Sequence, residues 1–102
     1  MQEVTLESTA PALVFRLTGE IDSGNADEFY EEMNAAYQAH PCNVEFRCDG
    51  LEFIDSTTLG TFVKILKKVK SDGHTLRILD LQPRLKKLFV ICALDRIMEI
   101  KP

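Results

Sequence analysis

The sequence predicts an α/β fold with elements in the order ββαβαβαβ. Two observations lead to this prediction. The spacing of apolar residues changes repeatedly between a period of two, typical of strands, and a period of 3.6, typical of helices. Each helical segment is also flanked by segments with strand periodicity, and strands joined through helices pair in parallel. We therefore expect a mainly parallel sheet with helices packed against it and one antiparallel N-terminal strand, contributed by an initial hairpin.

The length and the charge limit the class of protein. The 102 residues suit one domain spanning residues 1–102, since domains usually contain about 100 to 150 residues. A formal net charge of -4 argues against a protein held on nucleic acid or anionic lipid by charge. No apolar run reaches the roughly 18 residues that a membrane span requires. A protein partner or a small molecule is the better expectation.

The cysteines indicate a reducing compartment, so we expect a cytoplasmic protein. Cys42, Cys48 and Cys92 form no CxxC pair, and an odd number of cysteines cannot be fully paired within one chain. Their apolar neighbours predict that the thiols are unpaired and mostly buried. The only histidines are His40 and His74, and no His/Cys spacing indicates a metal site.

The first three elements are marked by a change of period. Apolar residues alternate with polar ones over residues 4–7 and again over residues 13–18, which predicts two strands joined by a turn. A helix then runs to about His40, with Asn25 placed as its N-cap and Glu28 as the third helical residue that completes a capping box. Its apolar positions at helical spacing are Ala26, Phe29, Tyr30, Met33, Ala36 and Tyr37.

The middle of the chain predicts a third strand and the best-marked helix. Residues 44–48 alternate as a strand, and Asp49-Gly50 is expected to turn the chain toward residues 51–54. From Leu59 the helical period returns, and Gly73 stands where a C-terminal cap belongs. The apolar face of this helix comprises Leu59, Phe62, Val63, Leu66 and Val69.

The last part of the chain predicts a strand, a helix and a final strand. Residues 76–81 form the fourth strand, Pro83 suits the first turn of a third helix, and residues 97–100 form the last strand. The apolar face of the third helix consists of Leu85, Leu88, Phe89 and Cys92. The strands starting near Val44 and Leu76 should be central and parallel, because a helix of crossover length connects them.

Two loops at predicted carboxyl ends of strands are the candidate functional regions, because such loops often carry sites in parallel sheets. They contain residues 19–22 and residues 54–60. Their Asp, Ser and Thr residues suit helix N-caps, which is a purely structural interpretation. As a nucleophile, Ser56 would need a base, and neither histidine is predicted near these loops. The glycine patterns of phosphate-binding loops are absent.

With a nucleophilic serine and a phosphate-binding loop set aside, the remaining chemical role for this loop is reversible phosphorylation of Ser56. A helix start presents free backbone N–H groups that accept negative charge, whereas the adjacent Asp55 opposes it. A phosphate of about two negative charges at this position could switch a docking surface. The local sequence leaves this interpretation and the capping interpretation open.

Three segments of the chain, in their order and spacing, resemble one bacterial family. They are Leu17-Thr18-Gly19-Glu20-Ile21-Asp22, then Leu51-Glu52-Phe53-Ile54-Asp55-Ser56-Thr57 with Leu59-Gly60, and finally Leu85-Lys86-Lys87-Leu88-Phe89 with Leu94. On these segments the chain resembles the STAS-domain anti-sigma factor antagonists over essentially its whole length. The middle segment is similar to the family's D-S-[ST]-G-L-G motif.

The resemblance implies a STAS fold with no enzymatic activity, cofactor or metal of its own. Unphosphorylated family members bind an anti-sigma factor that is also a serine kinase, which frees a sigma factor. Phosphorylation reverses this, and a PP2C-type phosphatase restores the active form, while ATP is bound by the kinase. By position, Ser56 matches the phosphoacceptor. The implied partner-binding residues are Asp22, Asp55, Ser56, Thr57 and Thr58. A weak homodimer is left open.

Two positions depart from the family pattern. Thr58 stands where the family has Gly, and we expect its β-branched side chain to crowd the surface on which a partner approaches. Ala93 stands where the family often has Gly after the third helix, and because Ala tolerates a left-handed cap poorly, the exit from that helix should differ.

Two other functions stay open. One is a non-enzymatic STAS subunit of another assembly, such as a lipid-transport ATPase or a signalling scaffold, which does not need a phosphorylatable Ser56. The other is an unrelated small α/β enzyme. An enzyme would need a second polar cluster with an acid/base pair, and the sequence does not indicate one.

Overall fold

A computed structural model describes residues 2–102 as a five-stranded sheet covered by three helices. The strands are β1 (Gln2–Ser8), β2 (Leu13–Ile21), β3 (Val44–Ile54), β4 (Leu76–Leu79) and β5 (Glu99–Lys101). The helices are α1 (Ala26–Ala39), α2 (Ser56–Ser71) and α3 (Pro83–Ile91), and a 3₁₀ turn, Leu94–Arg96, follows α3. The strand order is β1-β2-β3-β4-β5, with β1 antiparallel to β2 and the other neighbours parallel. The predicted fold class is confirmed, including the parallel pairing of the strands that begin at Val44 and Leu76.

All three helices pack on one face of the sheet. Because β2 to β5 lie side by side in chain order, right-handed crossovers return each helix to the same side. The ring of Phe46 in β3 lies 5.5 Å from Phe29 of α1 and 5.5 Å from Phe62 of α2. Phe62 in turn lies 5.5 Å from Phe89 of α3. All four side chains are fully buried, so one aromatic cluster holds the helices on the sheet.

The opposite face of the sheet carries charged side chains that pair across the strands. Arg16 lies 2.8 Å from Asp49, and Arg77 lies 3.0 Å from Glu99. All four side chains are about half exposed, and exposed ion pairs contribute only about 0–1 kcal/mol each. This face is therefore solvated, and the stability of the fold comes from the apolar face beneath the helices.

β3 continues through Asp49-Gly50 to Ile54, so the turn predicted at these two residues is wrong. The pairing of β2 with β3 shifts register once before and once after the Thr18–Gly50 pair. A Cβ atom at position 50 would lie 2.7 Å from the Thr18 side chain, so this close approach of two strands requires glycine. The Gly50 signal therefore marks an irregularity within a strand, and the longer β3 brings Ile54 opposite Ile21.

Four element boundaries also differ from the predicted ones. β2 continues to Ile21, through residues that were assigned to a loop. α2 begins at Ser56 rather than Leu59, because a cap at Asp55 starts the helix before its apolar stripe begins. β4 ends at Leu79. The last strand is limited to Glu99–Lys101, because the preceding 3₁₀ turn occupies part of the chain that was expected to be extended.

The third helix and its cysteine are less buried than the sequence predicts. Leu88 and Cys92, two of the four residues assigned to the apolar face of α3, are exposed. α3 ends at Ile91, so Cys92 lies beyond the last turn that packs on the core. All three thiols are unpaired, as predicted, but only Cys48 is buried and Cys42 is half-buried. The prediction that the thiols are mostly buried is therefore wrong for Cys92.

Two helices end with a residue in the left-handed conformation. Gly73 follows α2 with φ +81°, and its N–H donates to the Lys70 carbonyl at 3.0 Å, so the predicted C-terminal cap is confirmed. Ala93 follows α3 with φ +59°. The chain thus accepts at Ala93 a conformation that costs a residue with a Cβ atom about 1–2 kcal/mol. The expected change in the exit from α3 is not found.

Candidate functional site

Two loops leave the sheet side by side at the edge where β2 and β3 end, which we call the carboxyl edge. Ile21 and Ile54, the last residues of these strands, are register partners. From Ile21 the chain enters the β2–α1 turn (residues 22–25), and from Ile54 it passes through Asp55 directly into α2. The five residues proposed from the sequence for partner binding, Asp22 and positions 55–58, therefore lie at one edge of the sheet.

The β2–α1 turn is closed by hydrogen bonds among its own residues. The Asp22 carbonyl accepts from the N–H groups of Asn25 at 3.1 Å and Ala26 at 2.8 Å. Asp22 Oδ1 accepts from the Gly24 N–H at 2.9 Å. The Asn25 side chain folds back to the strand end, where Oδ1 accepts from the Asp22 N–H at 2.8 Å and Nδ2 donates to the Glu20 carbonyl at 3.0 Å. This network gives the turn a defined shape before α1 begins.

The capping box predicted for α1 does not form. Asn25 occupies the N-cap position, but its side chain makes no capping hydrogen bond. Its amide is instead engaged with the end of β2, so Glu28 has no capping partner. Asp27 and Glu28 lie in the first turn of α1, where their charges offset the positive end of the helix.

α2 begins with an N-cap at Asp55, one of several residues that the sequence offered as caps. Asp55 Oδ1 accepts from the Thr58 N–H at 3.0 Å, and Thr58 Oγ1 accepts from the Asp55 N–H at 3.4 Å, which forms a capping box. The Thr58 N–H bond is the main cause that lowers the pKa of the Asp55 carboxyl below its ordinary value, and the Ser23 N–H and the Thr58 hydroxyl act in the same direction. Asp55 is therefore ionised at neutral pH.

Two hydrogen bonds join the start of α2 to the end of β2 and to the β2–α1 turn. The Ser23 N–H donates to Asp55 Oδ2 at 3.0 Å, and the Thr58 hydroxyl donates to the carbonyl of Ile21. The Thr58 side chain is 0% exposed. It lies beneath the surface of the carboxyl edge, so the expectation that it crowds an approaching partner is wrong.

Ser56 and Thr57 are the exposed hydroxyl residues in the first turn of α2. Ser56 is the first residue of the helix. Backbone N–H groups in the first turn of a helix lack partners within the helix and attract anions. The first turn of α2 contains no acidic side chain that would use this potential. A phosphate on Ser56 would therefore be stabilised by the helix, against the opposing charge of Asp55.

The two histidines lie at the opposite edge of the sheet from Ser56. α1 and α2 both start at the carboxyl edge, His40 caps the far end of α1, and His74 follows the far end of α2. Neither imidazole can act as a base for Ser56. Over residues 2–102, no group of three or more His, Cys, Asp and Glu side chains is placed to hold a metal ion. No helix in this described part of the chain is long and apolar enough to cross a membrane.

Sequence reasoning missed Ser23 and misjudged Thr58. Ser23 contributes its backbone N–H, which almost any residue type supplies, so no side-chain pattern marks it. Thr58 did carry a signal, because a hydroxyl three residues after an N-cap can return a hydrogen bond to the cap. The bond from Thr58 to Ile21 spans 37 residues and has no local signature.

The mixed five-stranded sheet with three helices is the architecture of a known family. The STAS domain family matches residues 3–102. The chain therefore belongs to the STAS-domain family, as the three sequence segments indicated.

Named relatives come from several bacteria. An anti-sigma F factor antagonist from Paenibacillus polymyxa is 27% identical over 99 residues, which cover 96% of this chain and 85% of the relative. The crystal structure of an anti-sigma factor antagonist from Mycobacterium paratuberculosis matches with a TM-score of 0.89 at 18% identity, over 100% of this chain and 86% of that one. The Bacillus cell fate determinant SpoIIAA in its phosphorylated form matches with a TM-score of 0.75 at 22% identity, over 96% of this chain and 90% of that one. The two structures share the fold described above.

Proposed function

We propose that the protein is an anti-sigma factor antagonist that is switched by phosphorylation of Ser56. In the unphosphorylated form it binds an anti-sigma factor with serine kinase activity and so releases a sigma factor. The observation that carries this proposal is the exposed Ser56 at the N-terminus of α2, beside the carboxylates of Asp22 and Asp55. The names of the relatives, which are anti-sigma factor antagonists, support it.

The switch follows from the charge of the carboxyl edge. A phosphate on Ser56 adds about two negative charges to a surface that already contains Asp22 and Asp55. Within the protein, the positive end of α2 stabilises the phosphate, so the fold persists. A partner docked on this surface must desolvate the phosphate or meet it with like charge, and such contacts are strongly unfavourable at an interface. Phosphorylation therefore releases the partner without unfolding the antagonist.

The other components of the system belong to the same proposal. The kinase partner binds the ATP, so the antagonist uses no cofactor and carries out no reaction itself. A PP2C-type phosphatase removes the phosphate and restores binding. The system operates in the cytoplasm and needs no nucleic-acid contact by this chain. Asp22, Asp55, Ser56 and Thr57 contact the partner, and the buried Thr58 supports them from below.

The test is a binding and release experiment with the anti-sigma factor from the same organism. The unmodified protein should retain this kinase-like partner, and addition of ATP should release the wild type but not Ser56→Ala. Thr57→Ala is the matched control, because Thr57 is the exposed hydroxyl next to Ser56, and it should be released like the wild type. Mass spectrometry that placed the phosphate on Thr57 and not on Ser56 would contradict the proposal.

The alternative is a non-enzymatic STAS subunit of another assembly, such as a lipid-transport ATPase or a signalling scaffold. Such a subunit has no use for a modifiable hydroxyl at Ser56. Stable binding to a partner of that kind, together with no phosphate on Ser56 after incubation with the anti-sigma factor and ATP, would favour the alternative. The oligomeric state, including a weak homodimer, can be measured on the same sample by sedimentation.

A further inference from the structure

The side chain of Thr58 is the only fully buried polar side chain at the carboxyl edge among residues 4–102, whose burial the structure describes. Its hydroxyl donates to the carbonyl of Ile21, at the end of β2. The same oxygen lies 3.4 Å from the N–H of Asp55 and 3.1 Å from Asp55 Oδ1. One hydroxyl therefore contacts both strand ends from which the two loops depart.

The Asp55 carboxylate forms the second link between the loops. Oδ1 is occupied by the Thr58 N–H, so Oδ2 is left to accept from Ser23 in the β2–α1 turn. The direction in which Oδ2 points depends on the capping box, because the Thr58 N–H donates to Oδ1 and the Asp55 N–H donates to the Thr58 hydroxyl. Thr58 thus affects the β2–α1 turn directly through Ile21 and indirectly through Asp55.

We propose that Thr58 is a positioning residue that locks the β2–α1 turn against the first turn of α2. The lock presents Asp22 and Ser56 as one preformed surface. A glycine at this position could supply the N–H bond to Asp55 but not the hydroxyl bond to Ile21. Because preorganised surfaces lose less conformational freedom on association, the lock favours partner binding. This last consequence rests on the proposed function, whereas the lock itself does not.

The lock can be measured on the protein alone by amide hydrogen exchange. Thr58→Val keeps the shape of the side chain and removes the hydroxyl, and Thr58→Ser restores a hydroxyl. Thr61→Val is the matched control, because the Thr61 hydroxyl bonds to the Thr57 carbonyl within α2 and not to the other loop. Exchange at the buried Phe46 amide in β3 reports global unfolding for each variant.

We expect Thr58→Val to accelerate exchange at the Ser23 amide by about fivefold relative to Phe46. Thr58→Ser and Thr61→Val should stay near the wild type. Unchanged exchange at Ser23 in Thr58→Val would overturn the proposal. An increase that matched the one in Thr61→Val would also overturn it, since Thr58 would then support only the stability of α2.

The docking consequence is measured separately by calorimetry with the anti-sigma factor. Thr58→Val should bind about fivefold more weakly than the wild type, and Thr58→Ser should restore the affinity. If the wild type itself failed to bind, the proposed function would fall, and the exchange result would still decide whether the lock exists.

Discussion

α1 and α2 start at the same edge of the sheet, but their first turns are built differently. α1 begins with Asn25, whose side chain bonds backward to the strand, and its first turn holds Asp27 and Glu28. α2 begins with Asp55, whose side chain caps the helix, and its first turn holds hydroxyl residues and no acid. The positive end of α1 is offset by charges inside the helix, whereas that of α2 is offset only by its cap.

This difference explains why only one of the two helix starts suits a phosphate. At α1, a phosphate would be added next to two carboxylates in the same turn. At α2, the added charge meets the positive end of the helix and the single carboxylate of Asp55 in its cap, while Ser56 is exposed to a modifying enzyme. Of the two helices that start at the carboxyl edge, only α2 therefore has a first turn that suits a phosphate.

The largest effect is expected from a charge placed at the α2 start. Ser56→Asp should weaken binding to the anti-sigma factor by about two orders of magnitude, because a carboxylate faces the docked partner next to Asp55. The melting temperature should stay within a few degrees of the wild type, since the charge is favourable at a helix N-terminus. Calorimetry and thermal unfolding measure both quantities. Equal affinities of two folded proteins would remove Ser56 as the switch.

A smaller effect is expected from replacing adjacent threonines in the first turn of α2. Thr58→Gly should lower the free energy of unfolding by about 2 kcal/mol, because a buried hydroxyl and its bonds are lost together with helix propensity. Thr57→Gly, at the exposed neighbour, should cost less than about 1 kcal/mol. Urea denaturation of the two variants makes the comparison. Equal losses would mean that burial of Thr58 adds nothing to stability.

The role of Asp55 predicts a dependence on pH. Its pKa is lowered in the folded protein, mainly by the Thr58 N–H, so the stabilisation is present above the unfolded pKa of about 3.9 and is lost as the pH falls through the folded value. Asp55→Asn keeps an oxygen for the cap but loses the charge. The stability gap between wild type and Asp55→Asn should therefore be largest near neutral pH and should close in acid. A gap that is constant with pH would contradict this account.

The smallest effect is expected at the α1 start. Glu28→Ala should change the free energy of unfolding by less than about 0.5 kcal/mol, because Glu28 is exposed and has no capping partner in Asn25. Chemical denaturation of Glu28→Ala and of the wild type under the same conditions measures this difference in the free energy of unfolding. A loss larger than 1 kcal/mol, well outside the range of exposed surface substitutions, would show that a capping box forms at α1 after all.

The elements with local signals were predicted well. The helical period located α1, α2 and α3, and Gly73 was recognised as a C-terminal cap because its hydrogen bond to Lys70 lies within the last turn. The same reasoning failed at Gly50. A glycine signals an unusual backbone or a close approach, but the sequence does not show that the neighbour is Thr18 on another strand.

The placement of the two loops at one edge of the sheet was predicted, but their geometry was not. Asp22, Asp55, Ser56 and Thr57 were placed at the carboxyl ends of strands from the order of elements. Thr58 was expected on the outer surface because the family that the chain resembles has Gly at this position. The local sequence does not decide which side of the first turn its side chain faces. Its burial depends on the end of β2, which is distant in sequence.

The order of elements, the parallel sheet and the placement of Ser56 near a helix start could be read from the sequence alone. These features follow from periodicity and from contacts between near neighbours along the chain. Only the tertiary structure decided that the Asn25 amide serves the strand end, that Thr58 points inward, and that Ser23 bonds to Asp55. The two bonds between the loops join residues more than 30 positions apart, so they exist only once β2 and β3 have paired and brought both loops to the carboxyl edge.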